Sequence, residues 1–210
     1  LSENYRVFAI DILGECGKSA ENRLAFKNAN YANWIFSIIN KLQLNCVSIM
    51  GCSLGGWLAL DFTLHFPTRV NKIVLMATAG ITQVKIKTIF WILITSLFGQ
   101  WGFNQLNKMV YGNLPMDARA LEFAQLVKKH FSPRTDVLPV FSNEMLRQIA
   151  APVLFIGGEH DCFYNSKKTA ERLKQNLRNV QCLLLKNTGH VLVNQSQVIL
   201  QFLKASLNET

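Results

Sequence analysis

Cys46-Val47-Ser48-Ile49-Met50-Gly51-Cys52-Ser53-Leu54-Gly55-Gly56-Trp57-Leu58-Ala59-Leu60 is the stretch that decides the fold. Its first five residues form a short, β-prone apolar run. The residues after Gly56 form an apolar helix that Pro67 closes. Between them, Gly51-Cys52-Ser53-Leu54-Gly55 matches G-x-S-x-G. At ordinary glycine and serine frequencies this pattern arises by chance in about one chain in fifteen of this length. The pattern alone is therefore weak, and its place between a strand and a helix makes it specific. A serine on so sharp a turn projects its hydroxyl from the sheet edge, and flanking glycines let backbones pass closely. The helix N-terminus beneath it favours negative charge that develops there.

Working outward, strands and helices alternate. Tyr5–Ile10 reads as a strand that runs into a glycine-containing loop. Tyr31, Trp34, Ile35, Ile38, Ile39 and Leu42 keep a 3-4 spacing, which predicts an amphipathic helix over 31–42. Ile73–Met76 and Val153–Ile156 are further strands, followed by a polar helix over 166–177, a strand over 180–186 and a last helix over 191–206. Near-continuous apolar strands between helices predict a mostly parallel sheet covered on both faces, an α/β fold. Residues 80–148 break the rhythm, because one crossover helix would suffice there. They are rich in Ile89, Phe90, Ile92, Leu93, Leu97, Phe98, Trp101 and Phe103. They predict a helical cap inserted between core segments 1–79 and 149–210.

Composition narrows the function classes. The 210 residues are half apolar and 17% charged, which excludes disorder. The net charge is +9, and residues 81–150 carry eight bases against four acids without forming a basic stripe. A solvated surface explains this better than nucleic-acid binding does. Cys16, Cys46, Cys52, Cys162 and Cys182 show neither C-x-x-C nor zinc spacing. Buried, reduced thiols in a cytoplasmic protein are expected, with Cys52 a small buried residue. Ile86–Phe98 is too short and too interrupted to span a membrane. The chain opens on Leu1-Ser2-Glu3-Asn4 without a signal-peptide pattern or an initiator Met, so the natural start is expected upstream.

A serine hydroxyl needs a base within reach, and the base needs a third group to orient it. Of the four histidines, His65 and His130 lie within predicted helical stretches, whereas His160 and His190 follow strands. Sites in open α/β sheets form at those C-terminal strand ends. Asp161 follows the strand 153–156 through Gly157-Gly158-Glu159-His160. Ser53, Asp161 and His190 thus stand in the chain order Ser…Asp…His.

These pieces, with Asp11-Ile12-Leu13-Gly14-Glu15-Cys16-Gly17-Lys18-Ser19 and Asn187-Thr188-Gly189-His190, resemble the α/β-hydrolases, in particular small capped carboxylesterases and their lipase-like and haloperoxidase-like relatives. The resemblance implies Ser53 as nucleophile, His190 as base, Asp161 as orienting acid and the Leu54 N–H as an oxyanion donor. It implies a small-molecule ester substrate, an acyl-enzyme, and no metal or organic cofactor, and the apolar insertion suggests that the ester carries a hydrophobic acyl or alcohol group. It leaves oligomeric state open. The same three residues would serve acyl transfer, C–C hydrolysis or perhydrolysis, and a binding or receptor protein of low turnover, or an inactive fragment, could also keep them. Dehalogenases and epoxide hydrolases of this superfamily carry Asp at the elbow, so Ser53 argues against both.

Strand 5–10 matches the family's fourth strand, so strands one to three, and the loop giving a second oxyanion donor, are expected to lie outside this sequence. In the resembling fold the third strand sits between the fourth and fifth. Three arrangements are then expected: a gap in the sheet, strand 5–10 slid against strand 45–50, or another segment inserted there.

Overall fold

The computed structural model describes residues 1–205 except 113, 116, 133 and 135. Its centre is a four-stranded parallel sheet in the order β1 (Val47–Cys52), β2 (Val70–Met76), β3 (Val153–Gly158), β4 (Val180–Leu185). Helix α1 (Asn30–Lys41) precedes β1, and α2 (Leu54–His65) follows it directly. Pro67 opens a short 3-10 turn, so the proline ends α2 as its fixed φ and missing N–H require. Helix α7 (Ser166–Asn176) links β3 to β4, and α8 (Ser196–Lys204) follows β4. The last helix is thus shorter at its start than the sequence reading predicts, and Asn194 turns with φ 60° just ahead of its N-cap, Gln195. Its expected end at 206 lies outside the described residues.

Alternation along the strands explains why both faces are covered. On β2 and β3, Ile73, Leu75, Val153 and Phe155 pack into one core with Tyr31, Trp57, Phe62 and Leu173. Val74, Leu154 and Ile156 point the other way and pack with Ile199 and Phe202 of α8. All six residues of β3 are buried, as a central parallel strand requires. Helix α2 buries every residue from Gly56 to Thr63, which is why its sequence is apolar on all sides.

Four helices lie between β2 and β3: α3 (Ile86–Ser96), α4 (Gly99–Tyr111), α5 (Ala118–His130) and the short α6 (Asn143–Arg147). The two ends of this stretch meet. The Phe141 N–H donates to the Gly80 carbonyl at 2.8 Å, and the Arg172 guanidinium of α7 donates to the carbonyls of Ile81 and Phe141.

Two expectations are corrected. Residues 5–10 are not a strand of the sheet; they run exposed and without ladder bonds. A groove of about 880 Å³ opens between them and β1, lined by Tyr5, Val7, Phe8 and Ile10 on one side and Val47, Ile49 and Met50 on the other. β-propensity needs a partner one strand spacing away, about 4.8 Å, and across this groove there is none. Of the three arrangements, this is the gap. The second correction concerns the cysteines. Cys46 and Cys52 are exposed and the other three half-buried. Cys52 ends β1, whose outer side faces the groove rather than another strand.

Candidate active site

The turn at Ser53 is strained in the way its sequence foreshadows. Ser53 has φ 51° and ψ −112°, a conformation that costs an L-residue about 1–3 kcal/mol. The surroundings hold it there. The Ser53 N–H donates to the Met76 carbonyl at 2.9 Å, and its own carbonyl accepts from Ala79 N–H at 3.1 Å. A Cβ on Gly51 would lie 2.1 Å from the Gly55 backbone, and one on Gly56 would lie 2.2 Å from Thr78 Oγ1. Both glycines are therefore dictated by close approach. Leu54 is the first residue of α2, so its N–H is one of the donors that a helix start leaves without an intrahelical acceptor.

Asp161 and His190 come together at the same end of the sheet. Asp161 is 1% exposed and His190 is 8% exposed. Asp161 Oδ2 meets His190 Nδ1 at 2.9 Å. The other carboxylate oxygen, Oδ1, accepts from the N–H groups of Phe163 at 2.7 Å and Tyr164 at 3.0 Å. Both oxygens are thus engaged, and the carboxylate has one orientation. Nδ1–H donation to Asp161 leaves Nε2 as the basic nitrogen of a neutral imidazole. The Phe163 ring stands edge-on to the imidazole at 4.7 Å between centroids. Gly158 makes the meeting possible: a Cβ there would lie 2.2 Å from the Gly189 carbonyl oxygen and 2.4 Å from that of Thr188. The His190 loop thereby folds back over the end of β3.

Burial together with the charge of Asp161 marks the neighbourhood. Burial first and Asp161 second push the Cys162 thiol up to about 11 and the Tyr164 hydroxyl up to about 12. Desolvation first and the Asp161 charge second also push the Cys52 thiol up, even though its side chain opens onto the groove. Asp161 and His190 are joined by a hydrogen bond and the strained Ser53 turn stands at the same end of the sheet, while among the described residues no hydrogen bond joins Ser53 Oγ to His190. The other histidines stand elsewhere. His160 is exposed, with its N–H on the Thr188 carbonyl. His65 pairs with Asp61 within α2, and His130 is exposed at the end of α5. Among the described residues, no group of three or more His, Cys, Asp or Glu could hold a metal, and no helix is long and apolar enough to cross a membrane.

Sequence reasoning missed the ties between the inserted helices and this site. Lys85, Thr88 and Arg172 carry no motif, yet each ends on main-chain carbonyls far away in the chain. No local pattern marks such a partner.

The alpha/beta hydrolase fold family matches residues 1–105 of the chain. The chain belongs to the α/β-hydrolases. This α/β-hydrolase chain is 28% identical over 200 residues to the uncharacterized carboxylesterase nap of Bacillus subtilis, covering 91% of this chain and 66% of that protein. It is equally 28% identical over 200 residues to carboxylesterase YbfK of the same organism, covering 91% of this chain and 67% of that one. It thus spans about two thirds of the length of these relatives. The crystal structure of naproxen esterase from Bacillus subtilis superposes with a TM-score of 0.83 at 25% identity, over 95% of this chain and 74% of that chain.

Proposed function

We propose that the chain carries the catalytic machinery of a serine carboxylesterase. Ser53 attacks the ester carbonyl, Nε2 of His190 takes its proton, and Asp161 holds the imidazole in the productive tautomer. The Leu54 N–H donates to the tetrahedral oxyanion, His190 passes the proton to the departing alcohol, and water, giving its own proton to His190, then attacks the acyl-enzyme to release the acid and restore Ser53. The observation that carries this is the buried 2.9 Å contact between Asp161 and His190 at the sheet end that bears the strained Ser53 turn. The similarity to carboxylesterases supports the substrate class. Residues 80–148 act as the cap. Ile89, Phe90, Leu93 and Ile94 of α3 are exposed, which favours a hydrophobic acyl or alcohol group.

The test is covalent labelling with a fluorophosphonate followed by mapping of the adduct, together with turnover of short p-nitrophenyl esters. Adduct on Ser53, and loss of both labelling and turnover in Ser53→Ala by on the order of 10⁴-fold or more, are expected. Labelling that persists in that variant, for instance on Cys52, refutes the assignment. Labelling without turnover identifies a binding protein that keeps the triad.

A further inference from the structure

The loop that carries Asp161 has no regular structure, yet three of its consecutive carbonyls are bound by two residues of the insertion. Lys85 Nζ donates to the Asp161 carbonyl at 2.5 Å, and the Lys85 N–H donates to the Phe163 carbonyl at 2.8 Å. Thr88 Oγ1 donates to the Cys162 carbonyl between them. On the opposite side of the same loop, the N–H groups of Phe163 and Tyr164 face the Asp161 carboxylate. One segment of main chain therefore has its carbonyls fixed from the cap and its amides fixed on the acid. Turning the loop to release either set turns the other.

The choice of residues on α3 follows from this contact. Ile86, Ile89, Phe90 and Leu93 are exposed, while Thr88 is 5% exposed on the inward side. A hydroxyl is buried there because a buried loop carbonyl must find a donor. Among the described residues Lys85 forms no ion pair, so its ammonium is committed to a carbonyl.

We propose that Lys85 and Thr88 are positioning residues, which latch the first turn of the cap onto the Asp161 loop and so hold the carboxylate on Nδ1 of His190. The latch rests on the Ser53–His190–Asp161 assignment for its catalytic consequence and on the hydrogen bonds alone for its structural one. It makes cap seating and acid alignment a single event: a substrate that wedges α3 away from the core also pulls on the loop that orients the base.

The test uses the full 210-residue chain and the variants Lys85→Met, Thr88→Val and Thr88→Ser. Three quantities are read: kcat and KM on a short p-nitrophenyl ester, the far-downfield proton resonance of His190 Nδ1–H without substrate, and the urea midpoint. Lys85→Met and Thr88→Val are expected to lower kcat on the order of 100-fold, the scale of a small misplacement, with KM nearly unchanged. Both are expected to lose the resonance, and Thr88→Ser, which keeps the hydroxyl, to retain it together with most of kcat. Wild-type kcat and resonance in Lys85→Met and Thr88→Val overturn the latch. So does a Thr88→Ser variant as impaired as Thr88→Val, or a wild-type chain without the resonance. If Lys85→Met does not fold, the two Thr88 variants decide alone. A wild-type chain that shows the resonance but neither labels nor turns over ester refutes the esterase assignment and leaves the latch to be judged on the resonance.

Discussion

At the residue scale, Asp161 and His160 are adjacent in sequence and opposite in circumstance. Asp161 is buried with both oxygens hydrogen-bonded, while His160 is exposed and its main-chain N–H donates to the Thr188 carbonyl. Asp161→Asn keeps the shape but favours the wrong imidazole tautomer, so kcat on a p-nitrophenyl ester is expected to fall by about 10⁴-fold. His160→Gln is expected to change it little, and an equal collapse in both variants would show that the wrong histidine has been chosen. The same burial governs Cys162. Its thiol is raised to about 11, so the protonated form dominates at pH 8 and the reactive thiolate accumulates only as pH climbs towards that value. Iodoacetamide at pH 8, followed by mass spectrometry, is expected to modify exposed Cys46 well before Cys162, and matching rates would contradict the buried setting.

At the element scale, the packing of α8 depends on a residue that strand patterning passes over. Lys72 precedes the apolar run of β2 and is 5% exposed. Its Nζ donates to the carbonyls of Phe202 and Leu203 at 2.9 Å each and of Ala205 at 2.6 Å. A cation at a helix C-terminus meets both the unpaired carbonyls and the negative end of the dipole. Lys72→Met keeps the apolar stem and removes every donor, so buried carbonyls lose their partners. A loss of about 1–3 kcal/mol is expected in urea denaturation. An unchanged midpoint would mean that water replaces the ammonium without cost.

At the scale of the whole molecule, apolar surface is open in several places among the described residues, and two of them are extended. One is the groove of about 880 Å³ between residues 5–10 and β1. The other is α3, where Leu97 just beyond its end is 81% exposed and Ile86 is 67% exposed. Single exposed apolar residues are ordinary, but contiguous ones bind hydrophobic ligands and reduce solubility. The folded chain is therefore expected to enhance the fluorescence of anilinonaphthalene sulfonate below its unfolding transition. Substituting Val7 and Phe8 with serine, on the rim of the groove, is expected to lower that signal. A dye response seen only in partly unfolded chain would contradict an open groove in the native state.

The local sequence determined whatever depends on neighbours along the chain. The apolar runs gave the four parallel strands, the 3-4 spacing gave α1, the proline stopped α2, and Gly51 marked a turn that only a missing side chain allows. The order of Ser53, Asp161 and His190 along the chain was legible for the same reason, since each follows a readable strand. Tertiary structure alone decided whether Tyr5–Ile10 pairs, because a strand exists only where a second backbone stands at bonding distance. It also decided that Cys52 faces a groove, that Lys72 closes a helix 130 residues away, and that Lys85 and Thr88 reach a loop more than 70 residues on. In each of these the energy lies in a donor meeting an acceptor, or failing to meet one, across the fold. Sequence spacing carries no record of such a distance.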